Sequence, residues 1–103
     1  MPRYVKVAKV SELSPGNAGE FQADGKMVAL YNVGGKFYCT DNVCLHRGGP
    51  LGQGPLEGEV VTCPWHGWQY NVCTGESVFN EQIKVQTLEV KVEGDDIVVG
   101  FES

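Results

Sequence analysis

The chain has 103 residues, the size of one domain, and its 42% hydrophobic content, with two Trp, four Tyr and four Phe, is enough to build a core. A formal net charge of −5 excludes the basic face that phosphate-backbone binding requires, so no nucleic-acid partner is expected. The longest apolar runs, such as Met27–Leu30, are far too short to span a membrane, and Lys6 and Lys9 interrupt the N-terminal stretch, so the chain reads as cytoplasmic with no membrane partner.

In chain order, Tyr4–Val10 reads as a strand, and Ser11-Glu12-Leu13 allows at most one helical turn before Pro15-Gly16. Asp24-Gly25 separates a strand at Gly19–Ala23 from one at Met27–Val33, which is a two-residue hairpin signal. Gly34-Gly35 does the same between Met27–Val33 and Lys36–Thr40. The stretch from Asn42 to Glu59 holds five glycines and two prolines and shows no period, so it reads as a long loop of the functional kind. Val60–Thr62 and Trp68–Val72 are short strands. Near the end, Leu88, Val90 and Val92 alternate with polar residues, Gly94-Asp95 turns the chain, and Ile97, Val99 and Phe101 share one face. Short strands punctuated by Gly turns are the pattern of an all-β domain covering 1–103.

Two stretches of the middle region match in composition. Residues 44–48 read CLHRG and residues 63–67 read CPWHG, and the only two histidines of the chain lie in them. Cys44, His46, Cys63 and His66 therefore form two knuckles, each offering one thiolate and one imidazole. That inventory suits zinc or an iron–sulfur cluster. A structural Cys₂His₂ zinc site normally draws its two cysteines from one knuckle and its two histidines from the other. Here each knuckle mixes the types and sits on glycine-rich loops, whose backbone N–H groups can approach sulfide.

C-x-H followed after sixteen residues by C-x-x-H, each closed by glycine or Arg-Gly, resembles the Rieske iron–sulfur family. The resemblance implies one [2Fe–2S] cluster per chain, with Cys44 and Cys63 on one iron and His46 and His66 on the outer one. It also implies an antiparallel β-sandwich with a small cluster-binding subdomain at about 41–75. Two ferric ions, two sulfides and two thiolates sum to a neutral oxidised cluster, so histidine ligation eases electron uptake relative to four cysteines.

Within that family the residues favour a soluble electron carrier. Quinol-oxidising members carry an extra disulfide between the two loops, but the matching positions here, Leu45 or its neighbours and Trp65, hold no such pair. Their loop serine is replaced by Trp68, although Tyr70 stands where their tyrosine would be. Both histidines are committed to the cluster, which leaves none for the mononuclear iron of an oxygenase. The resemblance thus points to a ferredoxin, an electron-transfer protein and not an enzyme, with a flavin reductase and a terminal oxygenase as redox partners. The alternatives are a small subunit of a nitrite-reductase-type complex and a structural zinc-binding interaction module.

Outside the motif, Cys39 and Cys73 read as small buried hydrophobes. Trp65, Trp68, Tyr70 and Leu51 are candidates for core or for shielding the cluster from water, and Arg47, beside His46, is a candidate docking residue. The segment ESVFNEQI (76–83) lacks the proline that many relatives carry in a third loop over the cluster.

Overall fold

The computed structural model describes residues 2–23, 25–42, 50–65, 67–80 and 82–102. The described residues contain nine strands: β1 (Pro2–Lys9), β2 (Ala18–Ala23), β3 (Lys26–Val33), β4 (Lys36–Asp41), β5 (Leu56–Glu57), β6 (Val60–Thr62), β7 (Gln69–Asn71), β8 (Thr87–Glu93) and β9 (Asp96–Glu102). Short 3-10 turns occupy Val10–Glu12 and Leu51–Gln53. The strands expected from alternation and turn chemistry are present, with ends shifted by a residue or two. Inside the long Gly/Pro stretch, Leu51–Gln53 and β5 are additional regular structure that no period announced.

Turn chemistry explains the hairpins. Gly34 and Gly35 have φ of +59° and +98°, and β3 and β4 pair Val33 with Lys36 across them. A two-residue turn with both φ positive matches the right-handed twist of the flanking strands. Of the Asp24-Gly25 turn, Asp24 lies outside the described residues, while Gly25 has φ +79°.

Six strands form one antiparallel sheet in the order β1-β9-β8-β4-β3-β2, and β5-β6-β7 form a second, smaller antiparallel sheet. Only Cys39↔Leu88 and Thr40↔Thr87 register β4 against β8, so the large sheet folds over at this seam and its two halves face each other as an antiparallel β-sandwich. The core between them holds Leu30, Val28 and Cys39 from one half and Ile97, Val99 and Phe101 from the other. Residues 42–86 are inserted at the same seam, and the small sheet lies within them. Among the described residues, no helix is long and apolar enough to cross a membrane.

β3 is buried on both faces. Val28 and Leu30 enter the sandwich core, whereas Ala29 and Tyr31 enter a second core with Leu51, Val61, Cys63, Tyr70, Val72 and Val85. This is why its sequence is continuously apolar rather than alternating. The Tyr31 hydroxyl is 2.8 Å from Thr40 Oγ1, so the one polar group that Tyr31 buries is satisfied.

Cys39 is a buried thiol, as expected. Burial first, then the nearby Asp41 charge, pushes its pKa from 9.0 up to about 12. The sign for stability follows from proton counting. Above pH 9.0 the unfolded chain loses this proton while the folded chain keeps it up to about pH 12. The stabilisation is therefore complete below pH 9.0 and is lost with rising pH, by roughly 1.4 kcal/mol per pH unit for one group. Urea unfolding at a series of alkaline pH values should show a shallower loss of stability in Cys39→Ala than in the parent chain. Equal slopes would contradict this assignment.

Candidate metal centre

The second knuckle is a tight turn between two short strands. β6 leads into Cys63 and β7 follows Trp68. The Cys63 N–H donates to the Trp68 carbonyl at 2.7 Å, and the Gly67 N–H donates back to the Cys63 carbonyl at 3.0 Å. Gly67 has φ +78°, a left-handed conformation that glycine adopts without Cβ strain. The turn holds Cys63 at its head, 2% exposed, in the second core with Leu51, Val61 and Tyr70. Of the four expected ligands, Cys63 is described; Cys44, His46 and His66 lie outside the described residues, as does Arg47.

The first knuckle is framed by residues on either side of 43–49. Asn42 Oδ1 accepts the Gly52 N–H at 2.7 Å, and Asn42 Nδ2 donates to Glu20 Oε2 at 2.6 Å. Gln53 Nε2 donates to the other oxygen, Glu20 Oε1, at 2.7 Å. Residues 54 and 55 are also tied to the strand that leads into Cys63. The Thr62 N–H donates to the Pro55 carbonyl at 3.1 Å, and a Cβ on Gly54 would lie 1.9 Å from the Thr62 carbonyl oxygen. Glycine at 54 is therefore a packing requirement one residue before Cys63.

The segment 76–83 forms the third side. Ser77 bridges to Tyr70, and the Val78 N–H donates to the Gln69 carbonyl at 2.9 Å. Phe79 meets Trp68 edge to face, with ring centroids 4.9 Å apart and planes at 88°. Backbone pairing and this ring contact hold the segment against β7 without a proline. Leu51 and Tyr70 are fully buried beside Cys63, Trp68 is half-buried, and Trp65 points outward at 58% exposure. Trp65, Val78 and Phe79 (56% and 60% exposed) leave an apolar rim on the elements around the second knuckle. Phe79 and Val78 had no distinguishing signal in the sequence beyond lying in the SVF run of the proline-free loop.

Cys39, Cys63 and Cys73 are all outside disulfides. Cys73 differs from its expected burial and is only partly covered, because it lies in the turn after β7, where its N–H donates to Asn71 Oδ1 at 2.8 Å. Its thiol pKa is raised, by burial first and also by the charge of Glu59, against a hydrogen bond from Tyr38.

The sequence profile of the Rieske [2Fe-2S] domain matches residues 3–89. The chain belongs to the Rieske [2Fe–2S] family. Ferredoxin CarAc of Metapseudomonas resinovorans is 38% identical, with 94% of each chain covered. The ferredoxin component of the naphthalene 1,2-dioxygenase/salicylate 5-hydroxylase systems of a Ralstonia species is 32% identical, with 96% of each covered. Among solved structures, a complex of reduced oxygenase and oxidised ferredoxin in carbazole 1,9a-dioxygenase contains a chain that superposes with a TM-score of 0.85 at 34% identity, covering 93% of this chain and 91% of that one. This Rieske protein carries a [2Fe–2S] cluster and is an electron-transfer protein, the ferredoxin of a multicomponent oxidoreductase system, rather than a catalyst.

The two glycines at the knuckles should respond differently to substitution. Among the described residues no atom lies within 4 Å of a Cβ on Gly67, so Gly67→Ala should cost the left-handed backbone penalty, about 1–2 kcal/mol. Gly54→Ala must displace the Thr62 backbone and should cost about 3 kcal/mol or more. Thermal unfolding of the two variants should rank them in that order, and the reverse ranking would show that the Gly54–Thr62 approach is not needed.

Proposed function

We propose that Cys44, His46, Cys63 and His66 hold the cluster, with the thiolates on one iron and the imidazoles on the other, and that residues of about 41–75 act as the cluster-binding unit. The donor set suits the group: two thiolates and two imidazoles leave the oxidised cluster neutral. The observation that carries the reading is the placement of Cys63, buried at the head of a turn closed by Gly67 and packed on the same core as Leu51, which follows the first knuckle. When bound, a Rieske cluster takes up and releases one electron at a time.

In this reading the chain passes electrons in the cytoplasm from a flavin reductase to a terminal oxygenase. The ferredoxin components of dioxygenase systems among its relatives, matched over nearly their whole length, support this over a nitrite-reductase-type subunit or a zinc module. The residues around the centre fit the task. Leu51, Val61 and Tyr70 keep water from the Cys63 side, which strengthens electrostatic interactions there. The exposed rim of Trp65, Val78 and Phe79 supports docking of partners over the histidine side, with Arg47 at the contact edge.

The protein purified without added metal should be red-brown and contain two irons and two labile sulfides per chain. Cys44→Ser and Cys63→Ser should abolish the cluster, and Cys39→Ser and Cys73→Ser should leave the visible and EPR spectra unchanged. One zinc and no sulfide would end this reading. The reduction potential should fall in the lower half of the Rieske range of about −150 to +300 mV, because Trp68 brings no hydroxyl where high-potential members have a serine to hydrogen-bond sulfide. A redox titration giving a midpoint near the upper limit at neutral pH would contradict that reasoning.

A further inference from the structure

Glu20 lies on β2, an edge strand of the large sheet, and belongs to no ligand motif, yet both of its carboxylate oxygens are engaged. One accepts from Asn42, immediately before residues 43–49, and the other accepts from Gln53, shortly after them. Asn42 closes the ring by accepting the Gly52 N–H. A single carboxylate thus joins both ends of the segment that carries Cys44 and His46, and anchors them to the sheet. Hydrogen bonds to a charged acceptor are the stronger kind, and Asn42 is buried, so an amide left unpaired there is costly.

The backbone at 52 supplies an independent observation. A Cβ on Gly52 would lie 2.7 Å from Glu20 Cγ, 2.8 Å from the Gly19 carbonyl oxygen and 2.9 Å from Asn42 Oδ1. The chain after the first knuckle is therefore pressed directly onto Glu20 and Asn42, with no room for a side chain. Ordinary surface packing does not demand this closeness; a short amide–carboxylate ring does.

We infer that Glu20 is a positioning residue for the metal centre: it ligates no iron, and it sets the seat of Cys44 and His46 by clasping the two ends of their loop. The inference rests on the ligand set proposed above. Pinning both ends of a loop lowers the conformational entropy released when its middle detaches, so opening the clasp should speed loss of the cluster.

The experiment is a two-residue cycle read by cluster release. Loaded protein is mixed with a strong iron chelator, and bleaching of the visible spectrum is followed in the parent, in Glu20→Gln, in Asn42→Asp and in the pair. Each single substitution spoils the ring, the first by weakening the acceptor and the second by setting two carboxylates against each other. Both should speed release by about tenfold, the equivalent of one charged hydrogen bond. In the pair, the new amide at 20 donates to the new carboxylate at 42, which still accepts the Gly52 N–H, and release should return to near the parent rate. The EPR g-values of the reduced protein should shift in the singles and return in the pair, a readout that simple loss of stability does not move. Single substitutions that change the rate in opposite directions would mean that charge alone acts, and would overturn the clasp. Lowered melting temperature with unchanged release and g-values would overturn it as well. A parent protein with no [2Fe–2S] spectrum would overturn the ligand set and the clasp together, whereas a loaded parent with inert variants would sink the clasp alone.

Discussion

The structure depends on one strand, β3, whose residues 28–32 are buried on both faces. In β3, Val28 and Leu30 close the sandwich core, while Ala29 and Tyr31, one residue out of phase, floor the core that contains Cys63. Side chains alternate strictly along a strand, so a slip of one residue would exchange the two sets. The hairpin turns at Gly25 and Gly34-Gly35 prevent this by holding β2 and β4 in register on either side. The sandwich and the 42–86 insertion are therefore coupled mechanically through a shared strand.

The insertion takes advantage of the weakest seam of the large sheet. β4 and β8 register through two residue pairs, and the 42–86 excursion leaves and rejoins the sheet beside them. The two ends are tied there, since the Asp41 N–H donates to the Gln86 carbonyl at 3.0 Å. The excursion carries the small sheet and packs Leu51, Val61, Cys63, Tyr70, Val72 and Val85 against Ala29 and Tyr31 of β3.

The three sides of the centre are held by different physics. The second knuckle is a backbone turn, set by two main-chain hydrogen bonds and a glycine of positive φ. The first is framed by side chains, an amide and a carboxylate reaching from β2 and residue 42. The third, 76–83, is held by bridge pairing to Tyr70 and Lys84 and by the Trp68–Phe79 contact. Trp65, Val78 and Phe79 remain exposed on these elements.

By itself the sequence determined the class of fold and the kind of cofactor. Glycine pairs have few conformational uses, period-two alternation is a direct consequence of strand geometry, and two Cys–His knuckles carry their donor chemistry in their composition. The strand runs around Gly34-Gly35 and Gly94-Asp95 were legible for that reason, as were Cys39 and Tyr70 as buried residues. Tertiary structure alone decided the rest. Nothing local to Glu20 distinguishes it from other surface carboxylates, because its partners at 42 and 53 are brought to it only when β2 takes the sheet edge. Gly54 looks like any loop glycine until Thr62 packs on it, and Cys73 looks buried until the turn after β7 turns it partly outward. Phe79 becomes part of the rim through a ring contact with Trp68. In each case the deciding neighbour is distant in sequence, and local pattern carries no information about pairs that only long-range folding brings together.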